Sequence, residues 1–369
     1  MKISQLVDIV NEIAPFAIAQ SWDNVGLLVG DAQSEVNAMM LAVDITDAVI
    51  NEAISSGCNT IISYHPVIWE PLKALTAQCS RPVVYRLARE GLNVISVHTA
   101  LDAACGGVND GLAEAVGLAV SEPIGDYVSP PTEDMYKLVV FIPAEHINAL
   151  SEAVFLAGAG SLGNYSNCGF TSQGTGTFLP LDGANPSIGK KGRIEKVAEV
   201  RFETLVHQSR LNDVVAAMKL AHPYEEPAFD IIKLSLFQKR LGIGRIGNLV
   251  PKRKLTDIIA DIKRVTGVET IGFVGREIKS VKSAAVCAGA CGSILNKVIA
   301  AGCELYVTGE MKHHDALAAR ESGLLCLCLG HSISERFILS RLMERIRLKC
   351  PAEVVLSRKD ADPLKWRQV

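Results

Sequence analysis

Short apolar runs alternate with amphipathic segments in the first and last thirds of the chain. NTIIS and LNVISV in the first third, and ELYV and GLLCLCL in the last, are nearly continuous apolar strands bounded by turn residues. Such strands are typical of a parallel sheet covered by helices on both faces. At the N-terminus, Ile3, Leu6 and Val10 recur at helical spacing, with Val7 and Ile13 on the same stripe. The pattern predicts an α/β fold for both thirds.

The two thirds also resemble each other. In the first, ISSGCNTIISYHP is followed by EGLNVISVHTALD; in the last, IAAGCELYVTGEM is followed by ESGLLCLCLGHSISE. Each gives a helix, Gly-Cys, a strand, a polar loop, a helix, Gly, a strand and a His-x3-acid ending. We interpret this similarity as an internal structural repeat, and therefore as two related α/β halves.

The middle of the chain follows another pattern. Between Ser121 and Met135, three prolines and little apolar periodicity are typical of a linker. After it, strand-like and helix-like stretches follow in the order β-α-β-β-α-β over roughly 100 residues, the ferredoxin-like pattern. We predict a discontinuous α/β metal-binding domain at residues 1–130 and 236–369, and an inserted ferredoxin-like α+β domain at residues 131–235.

Composition narrows the functional classes. The 369 residues carry 37 Lys and Arg against 40 Asp and Glu, a net charge of −3, which argues against a general nucleic-acid or anionic-membrane binder. The ten cysteines lie mostly in apolar runs, so we expect free thiols and a reducing compartment. The sequence has no apolar run long enough to predict a membrane span. The N-terminal helix contains acidic residues, which a mitochondrial presequence avoids. A cytoplasmic protein is expected.

Histidines and carboxylates directly follow the apolar strands. His98 and Asp102 follow LNVISV. His331 and Glu335 follow LLCLCL with the same spacing, and His65 follows NTIIS. The carboxyl ends of parallel strands are where open α/β sheets place their ligands. Imidazole with carboxylate suits zinc, iron, manganese, cobalt or nickel, and five such side chains could hold two ions roughly 3.5–4 Å apart, which would activate a hydroxide and stabilise a leaving oxygen.

Other interpretations of these motifs stay open. Taken alone, each histidine is better explained as a hydrogen-bonded strand end, and only the repeated spacing favours a metal site. Glu310, His313 and His314 either line the same cleft or are exposed residues at the start of a helix. VCAGACGS either offers N–H groups to a phosphate or is a tightly packed turn. The run HPYEEPAFD at His222 is better explained as a structural turn.

Six motifs occur in a characteristic order along the chain. They are SWDNVGLLVG, SYHPVIW, SVHTALDAACGGVND, GIGRIGNL, VTGEMKHHDAL and GHSISER. Together they resemble the Nif-three-like family, whose bacterial members are often labelled GTP cyclohydrolase 1 type 2 homologues. The resemblance extends over nearly the whole chain outside the insert. Through HPYEEPA, the insert is similar to the extra domain of longer bacterial members, which resembles PII signalling proteins and CutA copper-tolerance proteins.

The resemblance implies a dinuclear metal centre between two related halves. It also implies a ring-shaped homohexamer, a trimer of dimers or a dimer of trimers, whose openings the inserts cap. The family's metal positions fall on His65, His98, Asp102, His331 and Glu335. The implied cofactors are two divalent ions, zinc first, with iron, manganese, cobalt or nickel as alternatives.

Tyr64 departs from the family pattern. Many bacterial members have consecutive histidines where this chain has Tyr64 and His65. A neutral phenol is a poorer ligand than imidazole. We therefore expect weaker binding of one ion, or a water or Glu310 completing its shell.

Two functions follow from the resemblance. The family label implies hydrolysis of GTP at the imidazole ring of guanine with loss of formate. The leading hypothesis is a metal-dependent hydrolase acting on a nucleotide or phosphorylated small molecule, with Asp102 or Glu335 bridging the metals. The alternative, favoured by Tyr64 and by the lack of an obvious general base, is a non-catalytic metal-handling or regulatory protein with a small-molecule-sensing insert. The sequence leaves open the native metal, the substrate and the ligand of the insert.

Overall fold

The chain forms two compact units. The computed structural model describes residues 1–78, 81–124, 134–163, 165–234 and 241–365. One unit comprises residues 1–130 together with 239–369, and the other comprises residues 131–238.

Strands and helices alternate along most of the chain. In order, the strands are β1 (Gly26–Val29), β2 (Ala38–Ala42), β3 (Thr60–Ser63), β4 (Asn93–Ser96), β5 (Val120–Glu122), β6 (Met135–Pro143), β7 (Gly169–Phe178), β8 (Glu195–His207), β9 (Phe229–Lys233), β10 (Arg245–Lys254), β11 (Gly272–Val274), β12 (Ser280–Cys287), β13 (Leu305–Thr308), β14 (Leu325–Cys328) and β15 (Glu353–Leu356). The α-helices are α1 (Ile3–Ile13), α2 (Asp47–Ser55), α3 (Pro82–Arg89), α4 (His98–Ala103), α5 (Val108–Val116), α6 (Ile147–Leu156), α7 (Leu211–Ala221), α8 (Leu255–Thr266), α9 (Leu295–Ala300), α10 (His313–Glu321), α11 (His331–Arg336) and α12 (Ile338–Arg347). Short 3-10 helices occur at Phe16–Ile18, Ala144–His146, Gln208–Arg210 and Gly292–Ile294.

The first sheet of the larger unit has the strand order β1-β4-β3-β2-β15. Strands β2, β3, β4 and β15 are parallel, and β1 is antiparallel to β4 at the edge. Every residue of β3 and β4 is buried, as expected for strands covered on both faces. Ser63 pairs with Ser96, and the His98 N–H donates to the Tyr64 carbonyl oxygen at 2.9 Å. The backbone that carries His65 therefore leaves the sheet beside the backbone that carries His98.

The second sheet has the order β11-β14-β13-β12-β10-β5. Strands β12, β13 and β14 are parallel, and β11 is antiparallel to β14 at the edge. The first sheet thus contains four parallel strands and the second contains three, and in each sheet an antiparallel edge strand borders this parallel set, the arrangement expected of two related halves. The mixed α/β class predicted from the sequence is confirmed.

The predicted linker between Ser121 and Met135 is wrong at its N-terminal end. Val120–Glu122 forms β5, which pairs antiparallel with β10. The partner strand lies far along the chain, so the local composition around Ser121 carries no sign of this pairing. Residues 125–133 of the predicted linker lie outside the described residues.

One apolar core joins the first and last parts of the chain. It includes Met39 and Ile62 from the first sheet and Val286 and Leu327 from the second, all fully buried. Helix α1 adds Ile3, Leu6, Val10 and Ile13, four residues of the predicted stripe. Among the helices in the described ranges, none has the length and apolar composition that a membrane span requires.

The smaller unit has the element order β6-α6-β7-β8-α7-β9. Its strands form an antiparallel sheet in the order β7-β8-β6-β9. Leu138, Phe202, Val154 and Val214 belong to an apolar cluster formed by residues of this unit alone. The unit therefore has its own core.

Candidate metal centre

Three potential metal ligands meet beyond the carboxyl ends of β3 and β14. The ligand atoms of His65, His331 and Glu335 all lie within 4.8 Å of one another. Glu335 lies between the two imidazoles, with Oε2 3.3 Å from His65 Nε2 and Oε1 3.3 Å from His331 Nε2. Because His65 follows a strand of the first sheet and the other two follow a strand of the second, the cluster requires both halves.

His98 and Asp102, the other two predicted ligands, lie beside this cluster on helix α4. The ring centroids of His65 and His98 are 5.4 Å apart. Burial raises the pKa of Asp102, and the charge of Glu335 adds to this; the hydrogen bond from Tyr64 opposes it, and the resulting pKa is about 7. The structure thus brings together all five predicted residues as one three-residue cluster with two close neighbours.

Each of the three histidines has a carboxylate against its Nδ1 atom. The pairs are His65 with Asp44 at 2.8 Å, His98 with Asp23 at 2.8 Å, and His331 with Glu310 at 3.0 Å. A carboxylate accepts, so Nδ1 donates and Nε2 keeps its lone pair when the ring is neutral. Proteins commonly orient histidine metal ligands in this way. The lone pairs of the three Nε2 atoms are therefore available to coordinate a metal.

Asp23 and Asp44 were not selected by the sequence analysis. Asp23 lies in SWDN before β1, and its Oδ2 also accepts from the Thr99 N–H at 3.0 Å and from the Thr99 hydroxyl. Burial alone would raise the pKa of Asp23, but the hydrogen bonds from His98 and Thr99 outweigh burial and lower it. Asp44 follows β2 as His65 follows β3, so the strand-end criterion could have found it.

The negative charges around His65 and one buried carboxylate oxygen are compatible with a bound divalent cation. Burial lowers the pKa of His65, yet the carboxylates of Asp44 and Glu335 outweigh burial and raise the pKa to about 10. Glu335 Oε2 is buried, and the His65 Nε2 atom 3.3 Å away is too poorly placed to give it a well-formed hydrogen bond. Such an oxygen is costly unless a cation or donor satisfies it. A metal bound by imidazole Nε2 atoms and Glu335 would satisfy it with the donor set that zinc prefers.

Tyr64 holds Asp102. Its buried hydroxyl donates to Asp102 Oδ1, and its ring makes edge contacts with His65 and His98 at centroid distances of 5.4 and 6.0 Å. Burial and the charge of Asp102 raise the pKa of Tyr64 well above its ordinary value. The phenol is therefore neutral, and it keeps its proton while donating a hydrogen bond to the carboxylate beside the cluster.

Of the three remaining candidate residues, one contacts the cluster and two are exposed away from it. Glu310 reaches the cluster as the partner of His331 Nδ1. His313 and His314 begin α10, are exposed, and contact each other at a ring-centroid distance of 5.6 Å. Among the contacts of the described residues, none joins either of them to the cluster.

Two tryptophans lie at the rim of the site. The Trp69 ring is 5.2 Å from the His98 ring, and the Trp22 ring is 5.8 Å from it. Both are exposed, at 41% and 61%. Both lie in motifs of the sequence, SWDNVGLLVG and SYHPVIW, that predicted no role for them. They offer flat apolar surface next to a candidate ligand.

A cluster of imidazoles and carboxylates at the carboxyl ends of two related sheets defines an α/β protein with a candidate metal centre. The family model described as Duf34/NIF3 (NGG1p interacting factor 3) matches residues 1–363, and the chain belongs to this family. The family predicted from the six motifs is confirmed.

Similar bacterial proteins match nearly the whole chain. It is 36% identical over 372 residues to the GTP cyclohydrolase 1 type 2 homolog of Halalkalibacterium halodurans, covering 98% of this chain and 99% of the relative. It is 38% identical over 345 residues to the protein of the same name from Mycobacterium bovis, covering 91% and 88%. The crystal structure of a Bacillus cereus protein related to NIF3 has a TM-score of 0.74 at 33% identity, covering 100% of this chain and 99% of that one.

Proposed function

We propose that the protein binds two divalent metal ions and is a metal-dependent hydrolase for a nucleotide or phosphorylated small molecule. The observation that carries this proposal is the set of three histidines whose Nδ1 atoms each face a carboxylate. His65, His331 and Glu335 would hold one ion, and His98 with Asp102 would contribute to the second. Zinc is the first candidate, with iron, manganese, cobalt or nickel as alternatives.

The protein's own residues would position the chemistry. When bound, the ions supply Lewis-acid activation of water and charge stabilisation for a leaving oxygen. Asp23, Asp44 and Glu310 fix the orientation of the imidazole rings. Tyr64 fixes Asp102 through its hydroxyl. Either Asp102 or Glu335 would bridge the two ions.

The rim supports a substrate with a flat ring. Trp22 and Trp69 are exposed beside His98, and exposed indole rings are suitable for stacking with a nucleobase. The net charge of −3 leaves a phosphate dependent on metal charge. The name of the bacterial relatives, GTP cyclohydrolase 1 type 2 homolog, makes GTP the first nucleotide to test.

Turnover by metal-loaded protein tests the proposal. The full-length protein is incubated with GTP, other nucleotides and simple phosphate esters, and products are separated by chromatography. We expect His331→Ala to abolish product formation and His314→Ala, an exposed histidine outside the cluster, to leave it unchanged. Equal turnover in wild type and His331→Ala would contradict a metal-centred reaction. Exchangeable metal binding with no turnover of any substrate would favour the alternative, a metal-handling or regulatory protein.

We also propose a homohexamer with the metal centres facing an internal cavity, an assembly that rests on the family resemblance. The inserted unit, on the same basis, is proposed to be a PII-like module that senses a small molecule. Light scattering coupled to size-exclusion chromatography tests the assembly. A mass of six chains is expected, and a monomer at micromolar concentration would contradict it.

A further inference from the structure

Two cysteines meet at the end of β12, outside the set of candidate metal ligands. Cys287 is the last residue of β12 and is buried, whereas Cys291 lies four residues later and is partly exposed. Their Sγ atoms are 2.6 Å apart. Among the cysteines that the structure describes, this pair alone has its sulfur atoms in contact. The separation exceeds a disulfide bond, about 2.05 Å long, by only about half an ångström.

The backbone between the two cysteines is already fixed. The Ala288 N–H donates to Asn109 Oδ1, and the Gly289 N–H donates to Ser334 Oγ, both at 2.9 Å. Gly289 has a φ of +70°, in the left-handed region that favours glycine. Further bonds to this segment run from Gly309 N and Glu310 N to Gly289 O and from Tyr306 Oη to Cys291 O. Because the segment is ordered in the thiol form, joining the sulfurs removes little further conformational freedom.

We infer that Cys287 and Cys291 are a reversible oxidation site, which forms an intrachain disulfide when the protein meets a peroxide. The Cys291 sulfur attacks one peroxide oxygen, the O–O bond breaks, and a sulfenic acid and water result. The Cys287 sulfur then attacks the Cys291 sulfur, the S–O bond breaks, and a second water leaves with the Cys287 proton. Two electrons pass from the two thiols to the peroxide, and a dithiol reductant reverses the change.

The environments of the two thiols assign their order of reaction. Burial raises the pKa of Cys287 well above its ordinary value, so this thiol is a poor first nucleophile. Cys291 is accessible, and its Sγ lies 2.9 Å from the Ala288 carbonyl oxygen. Cys291 therefore meets the oxidant, and Cys287 resolves the intermediate from contact distance.

The oxidation site adjoins the candidate metal centre. A Cβ built on Gly289 would lie 2.7 Å from Glu335 Oε1 and 3.7 Å from His331 Nε2. The segment between the two cysteines therefore packs directly against the carboxylate of the cluster. The inference itself requires only the thiol pair and is independent of metal binding.

Peptide mapping of the full-length protein tests the inference with an internal control. After reduction and desalting, the protein is exposed to a small excess of hydrogen peroxide, alkylated and cleaved with trypsin. Residues 283–297 then form one peptide that contains Cys287 and Cys291, and residues 321–336 form another that contains Cys326 and Cys328. We expect the first peptide to lose two hydrogens and escape alkylation, and the second to remain alkylated at both thiols.

Variants separate the two steps. In Cys287→Ser, a sulfenic acid on Cys291 should be trapped by a sulfenic-acid reagent, whereas Cys291→Ser should give no such product at Cys287. Cys326→Ser should form the disulfide as wild type does. The inference is overturned if both thiols of peptide 283–297 stay alkylatable while those of peptide 321–336 are oxidised. It is equally overturned if Cys291 proceeds to sulfinic acid in wild type without a disulfide.

Discussion

Asp44 and Asp23 fix the orientation of the histidine rings that they contact. Each accepts a hydrogen bond from Nδ1, at 2.8 Å from His65 and from His98 respectively, and leaves Nε2 as the donor facing the site. Strand-end position identified the histidines from the sequence. Asp44 also follows a strand end, but its pairing with His65, like that of Asp23 with His98, is a contact between separate segments of the chain and could not be assigned from the sequence.

Asp44→Ala should weaken metal binding without removing a ligand. Loss of a carboxylate behind a histidine ligand typically costs about 10–100-fold in metal affinity, and we expect a loss of that size measured by competition with a chelator. Asp257→Ala, an exposed carboxylate on α8, is the matched control and should bind as wild type does. Unchanged affinity in Asp44→Ala would mean that the ring of His65 needs no support.

The pKa of Asp102 gives a pH dependence. The native pKa of about 7 exceeds the ordinary value of 3.8, so between these values the native state binds more protons than the unfolded state. The free energy of unfolding of the metal-free protein therefore falls as pH rises from about 4 to 7 through this group. Asp102→Asn, which removes the charge facing Glu335, should remove that part of the fall.

Urea unfolding at pH 5 and pH 8 in the presence of a chelator measures this effect. The free energy of unfolding of Asp102→Asn minus that of wild type should be larger at pH 8 than at pH 5. The increase should be up to about 3 kcal/mol, since one pKa unit corresponds to about 1.4 kcal/mol. The same variant should gain less stability from added zinc. Parallel pH dependences in the two proteins would contradict the raised pKa.

Each of the two sheets contains one strand from the other part of the chain. The C-terminal strand β15 pairs with β2 in the first sheet, and β5, from the first part of the chain, pairs with β10 in the second. The mixed α/β class was predictable because the alternation of apolar strands with amphipathic segments is a local pattern. The exchanged strands are short and partly exposed, and their partners are distant, so their place could not be predicted.

The segment after β15 secures the first sheet near the site. The Asp360 carboxylate, 2% exposed, accepts from the Val43 N–H at 2.6 Å and from the Asp44 N–H at 3.3 Å, and it pairs with Arg336. Asp360 therefore joins the residue that supports His65 to the residue that follows Glu335.

Asp360→Ala should destabilise the protein. It removes the acceptor of the Val43 N–H and the charged partner of Arg336, which keeps only its hydrogen bonds to Ser332 Oγ and the Asp360 carbonyl oxygen among the described residues. This loss costs about 2–4 kcal/mol. Asp362→Ala is the matched control from the same segment, where the carboxylate accepts, among the described residues, from the nearby Leu364 N–H alone. Thermal unfolding distinguishes the two variants, and equal melting temperatures would show that the carboxylate contributes no stability.

At the scale of the whole molecule, all the candidate ligands belong to one unit. The cluster residues and their carboxylate partners lie within residues 1–130 and 239–369, and the smaller unit has a separate apolar core. The candidate metal centre is therefore formed by residues from the two ends of the chain and contains none from the smaller unit.

Removal of residues 131–238, with a short Gly-Ser linker in their place, tests this independence. We expect a folded protein that binds as many metal ions per chain as the full-length protein, measured by elemental analysis. Circular dichroism serves as the control for folding. A folded deletion variant that binds no metal would contradict the assignment of the site to the larger unit.

The proposed dinuclear centre is built from both halves of the fold. Anomalous diffraction at the zinc edge, from crystals of full-length protein loaded with zinc, tests whether it exists. We expect two peaks per chain, one in contact with His65, His331 and Glu335 and the other in contact with His98 and Asp102. A single peak would contradict the dinuclear centre, and the absence of any peak at these residues would contradict the metal site itself.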